Sequence, residues 1–277
     1  MRVFVTGATG YIGSATVHEL LNAGHQVISL ARSDESAAKL QQNGVEAHQG
    51  DIYDLDTLRE GTALADGVIH LAFNHDFSQF TESLETDLKA IEAMADALKG
   101  SGKPFVMTTH ANGTAAEQVM QSAAKHGVRT CIIELCPSVH GEGDTGFIPR
   151  LIDIARTQGY SAYVNNGDNC WTAVHRLDAA HLYRLALEKA PACSRLHGVA
   201  DEEVSFRDIA GMIGKQLHLP VVSIPHEQAT THFGFLGTLA ALDIPRSSAV
   251  TRDLLGWYPI QPSLLDDLQQ PHYFSKK

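Results

Sequence analysis

Residues 1–13, MRVFVTGATGYIG, set three glycines three apart directly after a short apolar run. Val3, Phe4 and Val5 read as strand, and the stretch from Ile12 onward reads as helix. Gly7, Gly10 and Gly13 therefore form GxxGxxG at a strand-to-helix turn. Each glycine answers a separate need. Gly7 admits the tight turn, Gly10 lets backbone approach a pyrophosphate, and Gly13 lets the helix lie close on the strand. The helix start turns free N–H groups and its positive dipole end toward the phosphates. Thr9 shares the turn, and Tyr11 and Ile12 stand at the helix start. The stretch reads as a dinucleotide grip; a glycine-rich turn with no ligand is the plain alternative.

Outward from this turn, short apolar runs alternate with helical patterns. Strands are expected at Arg2–Thr6, Gln26–Ala31, Val45–Gly50, Gly67–Phe73, Pro104–Thr109 and Thr130–Leu135. Helices are expected at Ile12–Ala23, Ala37–Asn43, Leu55–Thr62, Phe80–Leu98 and Thr114–His126. Such alternation means βαβ units and a parallel sheet with helices on both faces. The second half is less regular. Helices are expected at Ile148–Thr157, Leu177–Lys189, Phe206–Leu217, Glu227–Leu242 and Ala249–Leu255, with strands at Ser161–Val164, Leu196–Ala200 and Val221–Ile224. The fold class is α/β: a Rossmann-type doubly wound parallel sheet over residues 1–145, with a smaller C-terminal substrate lobe over 146–277. That boundary is soft, since later elements can return to the sheet.

Which dinucleotide fits turns on the end of the second strand. An Asp or Glu there bonds the ribose hydroxyls of NAD. This strand runs Val27-Ile28-Ser29-Leu30-Ala31 into Arg32 and Ser33. A guanidinium pairs with a 2′-phosphate in a fork geometry, so Arg32 and Ser33 point to NADP, with NAD as the alternative. Asp34, next in sequence, opposes that choice. Asp51 and Ile52 follow the third strand and could flank an adenine, while Leu71, Ala72 and Phe73 end the fourth where ligands of open sheets sit.

Composition narrows the partners. The 277 residues are 44% hydrophobic and 19% charged, with a net charge of −11. An acidic chain without basic clusters argues against nucleic acid. No apolar run is long enough to span a membrane, and no signal-peptide pattern opens the chain. Cys131, Cys136, Cys170 and Cys193 show no CxxC spacing, which favours a reducing, cytoplasmic compartment. The fifteen histidines include no HExxH, so no metal site is expected. Neither GxSxG nor GxxxxGK[ST] occurs.

Six stretches in order resemble the extended, atypical branch of the short-chain dehydrogenase/reductase superfamily: VFVTGATGYIG at 3–13, GDIYDLDTL at 50–58, GVIHLAF at 67–73, PFVMTTH at 104–110, ELCPSVHGEGD at 134–144 and AVHRLDAAHLYRLALE at 173–188. The resemblance implies an NAD(P)-dependent epimerase, dehydratase or reductase acting on a nucleotide sugar or another small hydroxyl or carbonyl compound. It makes Thr109 the residue that hydrogen-bonds the reacting oxygen. It places Pro137, Ser138 and Val139 past the nicotinamide, and His175 at the substrate cleft. It also implies a homodimer through helices 80–98 and 114–126.

One part of the family pattern is missing. Members use Tyr in a Tyr-x-x-x-Lys helix as proton donor and acceptor, and a phenol of pKa about 10 needs such help at neutral pH. Residues 109–127, THANGTAAEQVMQSAAKHG, hold no Tyr. Only Tyr273 has a Lys four residues on, Lys277, at the chain's end. Three explanations stand: another acid such as His110, Glu117 or His140; loss of catalysis with the cofactor retained; or a loop absent from this sequence. The expected function is hydride-transfer chemistry on a small hydroxyl or carbonyl substrate. A non-catalytic NAD(P)-binding regulator or scaffold is the alternative.

Overall fold

The computed structural model describes residues 1–74, 80–109 and 114–275. The first half builds β1 (Arg2–Thr6), α1 (Tyr11–Asn22), β2 (Gln26–Ala31), α2 (Asp34–Gln42), β3 (Glu46–Gln49), α3 (Leu55–Ala63), β4 (Gly67–His70), α4 (Phe80–Leu98), β5 (Pro104–Thr109), α5 (Ala115–Lys125) and β6 (Arg129–Leu135). Then follow β7 (Ser138–His140), α6 (Phe147–Gln158), β8 (Ser161–Val164), β9 (Cys170–His175), α7 (Arg176–Lys189), β10 (Ser194–Gly198), β11 (Asp201–Ser205), α8 (Phe206–Leu217) and β12 (Val221–Ile224). Short helices α9 (Ala229–Phe233), α10 (Gly237–Ala241), α11 (Ala249–Leu255) and α12 (Leu264–Asp267) complete the chain.

Seven strands form the main sheet in the order β10-β6-β5-β4-β1-β2-β3. The pairs β6–β5, β5–β4, β4–β1, β1–β2 and β2–β3 are parallel. The expected Rossmann-type α/β fold is present. Strand order reverses between β1 and β4, the switch point where open α/β sheets take ligands. The chain divides into two compact units. One holds Met1–Glu134, Ala179–Leu196 and Thr251–Trp257; the other holds Leu135–Asp178, His197–Val250 and Tyr258–Lys277.

In the first unit, sheet residues are buried on both faces, as helices on each side of a parallel sheet require. Phe4, Val68 and Phe105 are fully buried with Ile91 and Met94 of α4. In the second unit, Trp171 of β9 packs edge-on against Phe206, their ring centroids 5.0 Å apart, and Phe206 packs likewise on Phe233 at 5.8 Å. The Trp171 indole N–H donates to the Leu239 carbonyl at 3.1 Å, so the ring is buried without stranding its one donor.

Sequence and structure part in the second unit. The single helix expected over 227–242 is broken into α9, a 3₁₀ turn at Gly234–Leu236, and α10. Gly234 adopts φ +61°, which no helix interior allows, and Gly237 lies so close to Thr230 that a Cβ would sit 2.5 Å from its Cα. Strands β7, β9 and β11 form where none was expected, making a sheet of order β11-β9-β7.

His232 of α9 is nine-tenths buried, stacked on Tyr160 at 4.9 Å, with neither ring nitrogen hydrogen-bonded among the described residues. Burial pushes its pKa below the ordinary 6.5. The native imidazole then binds fewer protons than the unfolded one, so stability is held above pH 6.5 and is lost as pH falls below it. His232→Phe should flatten that acid-side fall in melting temperature; an unchanged slope would show that His232 does not contribute to it.

Candidate functional site

Parallel pairing brings the C-terminal ends of β1 to β5 to one edge of the sheet, and the segments after them collect there. These are residues 7–13, Arg32 and Ser33, Asp51 and Ile52, and Leu71 to Phe73, with Thr109 at the end of β5. The glycine turn is the best defined. Gly7 takes φ +74°, and a Cβ on it would stand 2.7 Å from the Ala72 nitrogen and the Leu71 carbonyl carbon. A Cβ on Gly13 would stand 2.0 Å from the Gly7 oxygen. The Gly10 N–H donates to that oxygen at 2.9 Å, closing the turn.

Gly10 caps α1 without a side-chain hydrogen bond, and the first turn of α1 holds no acidic residue. The positive end of the helix dipole therefore faces no carboxylate from its own first turn. Thr9 and Gly10 are exposed, and Tyr11 and Ile12 half-buried. These residues fit a diphosphate: backbone donors, a bare approach and no opposing carboxylate in that turn.

The other predicted contacts are less uniform. Arg32 is exposed beyond β2. Ser33 is the N-cap of α2, its hydroxyl accepting from the Ser36 N–H at 3.2 Å. Asp34 and Glu35 lie in the same first turn, so a phosphate bound by Arg32 would sit near two carboxylates. Asp51 is half-buried and accepts from the Tyr53 N–H at 3.2 Å, while Ile52 packs on the first unit's core. Leu71, Ala72 and Phe73 are half-buried; they lie past β4, which ends at His70.

Thr109 is buried at the end of β5, in register with Glu134 of β6. Of the proton-transfer candidates, His110 lies outside the described residues. Glu117 is tied to Arg195, whose guanidinium reaches Glu117 Oε1 at 2.5 Å and Glu134 Oε2 at 2.6 Å. That arrangement, invisible in the sequence, holds α5 and β6 through two buried carboxylates. Helix α5 carries no tyrosine.

In the second unit, Pro137 and Val139 are half-buried while Ser138 and His140 are buried, the alternation of a strand with one covered face. His140 donates from Nδ1 to Asp267 at 2.9 Å and is fully buried. His175 meets it edge-on at 5.3 Å, and burial, then His140, hold its pKa down. Tyr273 donates its hydroxyl to Asp144 at 2.8 Å and accepts from the Gly141 N–H at 3.2 Å; Lys277 lies outside the described residues. Burial pushes the Cys131 thiol up to about 12 and raises that of Cys136, so neither supplies a thiolate. Among the described residues no three His, Cys, Asp or Glu side chains are placed to hold a metal, and no helix is long and apolar enough to cross a membrane.

The doubly wound sheet, the glycine turn at its switch point and the uncapped helix start define a nicotinamide-dinucleotide-binding α/β protein. A family model, the NAD dependent epimerase/dehydratase family, matches residues 3–109. That match spans β1 to β5, and over those residues the chain resembles the extended short-chain dehydrogenase/reductases. An uncharacterised protein of Schizosaccharomyces pombe is 46% identical, covering 99% of this chain and all of its own length. That alignment runs over 295 positions, longer than this chain's 277 residues, so the relative carries residues that this chain lacks. A 4-hydroxy-2-methyl-3-oxo-4-farnesyl-3,4-dihydroquinoline-1-oxide ketoreductase of Stigmatella aurantiaca is 28% identical over 69% of this chain and 66% of its own. In fold the chain is similar to the UDP-glucose 4-epimerase of Thermotoga maritima, solved with UDP-glucose (TM-score 0.75, 15% identity, covering 97% of this chain and 96% of that one). It is also similar to dTDP-glucose 4,6-dehydratase of Streptomyces venezuelae, solved with NAD (TM-score 0.74, 18% identity, 97% and 94%).

Gly7 and Gly24 share a left-handed backbone, at φ +74° and +81°, but only Gly7 has backbone in the way of a Cβ. Gly24→Ala should cost about 1–2 kcal/mol. Gly7→Ala should cost more and abolish dinucleotide uptake in calorimetric titration; equal effects would deny the close approach any role.

Proposed function

We propose that this protein is an NAD(P)-dependent oxidoreductase or epimerase-like enzyme acting on a small hydroxyl or carbonyl compound. The glycine turn carries the proposal: Gly7 and Gly13 leave no room for a side chain, and α1 starts beside them with no acidic residue in its first turn. When bound, the nicotinamide supplies a hydride donor or acceptor. The chain's own residues seat and orient. Residues 7–13 bind the diphosphate, Asp51 and Ile52 flank the adenine, and Leu71 to Phe73 line the edge of the sheet. Thr109 holds the reacting oxygen by its hydroxyl. Pro137 and Val139, both half-buried, run past the nicotinamide. A homodimer through α4 and α5, in a reducing, cytoplasmic compartment consistent with four free cysteines, belongs to the same reading.

Arg32 favours NADP: its exposed guanidinium suits a 2′-phosphate, although Asp34 and Glu35 in the first turn of α2 oppose one. The second reading is a dinucleotide-binding regulator without turnover. What favours it is α5, which has no tyrosine and whose buried Glu117 is committed to Arg195.

Two measurements test these proposals. A panel of alcohols and carbonyl compounds, nucleotide sugars included, should contain one that changes the reduced-nicotinamide absorbance, and Thr109→Ala should slow that turnover by about a hundredfold. Dinucleotide binding with no turnover across the panel would support the regulator. Arg32→Ala should weaken NADP by about tenfold while leaving NAD nearly unchanged; an equal loss for both overturns the NADP assignment.

A further inference from the structure

We propose that His70 and Asp87 are positioning residues for the dinucleotide grip: they hold the hydroxyl proton of Thr6 away from the peptides that Thr6 anchors, and so fix where the glycine turn lies. The inference rests on the dinucleotide reading above and deepens it.

The parallel register of β1 and β4 sets Thr6 opposite His70. Thr6 Oγ accepts from the backbone N–H of Ala72 at 3.2 Å and shares the N–H of Leu71, also at 3.2 Å, with the Thr6 carbonyl oxygen. It also lies 2.7 Å from His70 Nδ1. A hydroxyl has one proton and two lone pairs. With both lone pairs facing backbone donors, the proton has one place to go, His70 Nδ1. That nitrogen must be bare, so the imidazole proton sits on Nε2. His70 Nε2 is 2.9 Å from Asp87 Oδ1 on α4, and an ionised carboxylate only accepts. The two ends of the chain of bonds thus select the same tautomer independently. A second proton at Nδ1 would be aimed at an oxygen already fully used and would leave the hydroxyl proton homeless.

The network is enclosed. Thr6 is 0% exposed and His70 3%, and the Asp87 side chain keeps only 18%. A partner lost here is not replaced by bulk water. Its consequence reaches the grip through one peptide. The N–H groups held by Thr6 belong to the Leu71–Ala72 stretch, and Gly7 rests its Cα against the same atoms, with 2.7 Å between them and a would-be Cβ. Asp87 sets His70, His70 sets the Thr6 hydroxyl, and Thr6 sets the peptide on which the turn lies. None of the three need touch the dinucleotide.

The test pairs titration with NMR. Long-range ¹H–¹⁵N spectra of the intact protein at neutral pH should show His70 with its proton on Nε2 and a bare Nδ1. Calorimetric titrations with NAD and with NADP should show Thr6→Val and Asp87→Ala weakening the preferred dinucleotide by about tenfold. Thr6→Ser and Asp87→Asn, which keep a hydroxyl and an acceptor, should restore it. A His70 protonated at Nδ1 overturns the proposal, as does unaltered binding by Thr6→Val and Asp87→Ala. Should those variants not fold, the tautomer in the unaltered protein decides. An unaltered protein that takes up neither dinucleotide overturns the parent reading too, and is told apart because it fails before any substitution is made.

Discussion

The close approach of Gly7 to the Leu71–Ala72 peptide governs the edge of the sheet. Two backbones meet there with no side chain between them. Only a residue without Cβ, in a left-handed conformation, satisfies that contact. From it follow the bend after β1, the start of α1 and the opening of that helix toward the edge. Gly13 repeats the constraint one helical turn later, where the Gly7 oxygen occupies the space a Cβ would need. The grip is thus a packing requirement of the first unit before it is a binding site.

Electrostatics then sort the residues at that edge. The first turn of α1 holds no carboxylate, whereas the first turn of α2 holds Asp34 and Glu35. A diphosphate is favoured at the first and opposed at the second. Other carboxylates of the unit are paired in place: Glu117 and Glu134 share Arg195, and Glu19 pairs with Arg184 and His181. In the second unit His140 is sealed from solvent and bonded through Nδ1 to Asp267, a tie between β7 and α12, while its Nε2 has no hydrogen-bond partner among the described residues.

The first unit was legible because its signals are local. Strands β1, β2, β4 and β5 are short apolar runs and α1 follows its glycines directly, so the order of elements and the turn read straight from residues 1–109. The second unit hid more. β7 has three residues, β11 reads DEEVS, as acidic as a loop, and β9 is nearly all buried without alternation. Residues 227–242 look helical until Gly234 breaks them by its φ. Ser33, expected as a ligand contact, also caps α2, a second role that spacing does not reveal. Thr6, His70 and Asp87 escaped because they are 64 and 17 residues apart. Pairing the ends of β1 and β4 would have joined the first two; Arg195 with Glu117 and Glu134 left no local signal at all.

Amide ¹H–¹⁵N spectra recorded while NAD or NADP is added read the backbone N–H groups of the glycine turn directly. Saturable shifts at Gly10, Tyr11, Ile12 and Gly13, joined by Leu71 and Ala72, are the expected result. Amides that stay in place at this turn while others elsewhere move would contradict it.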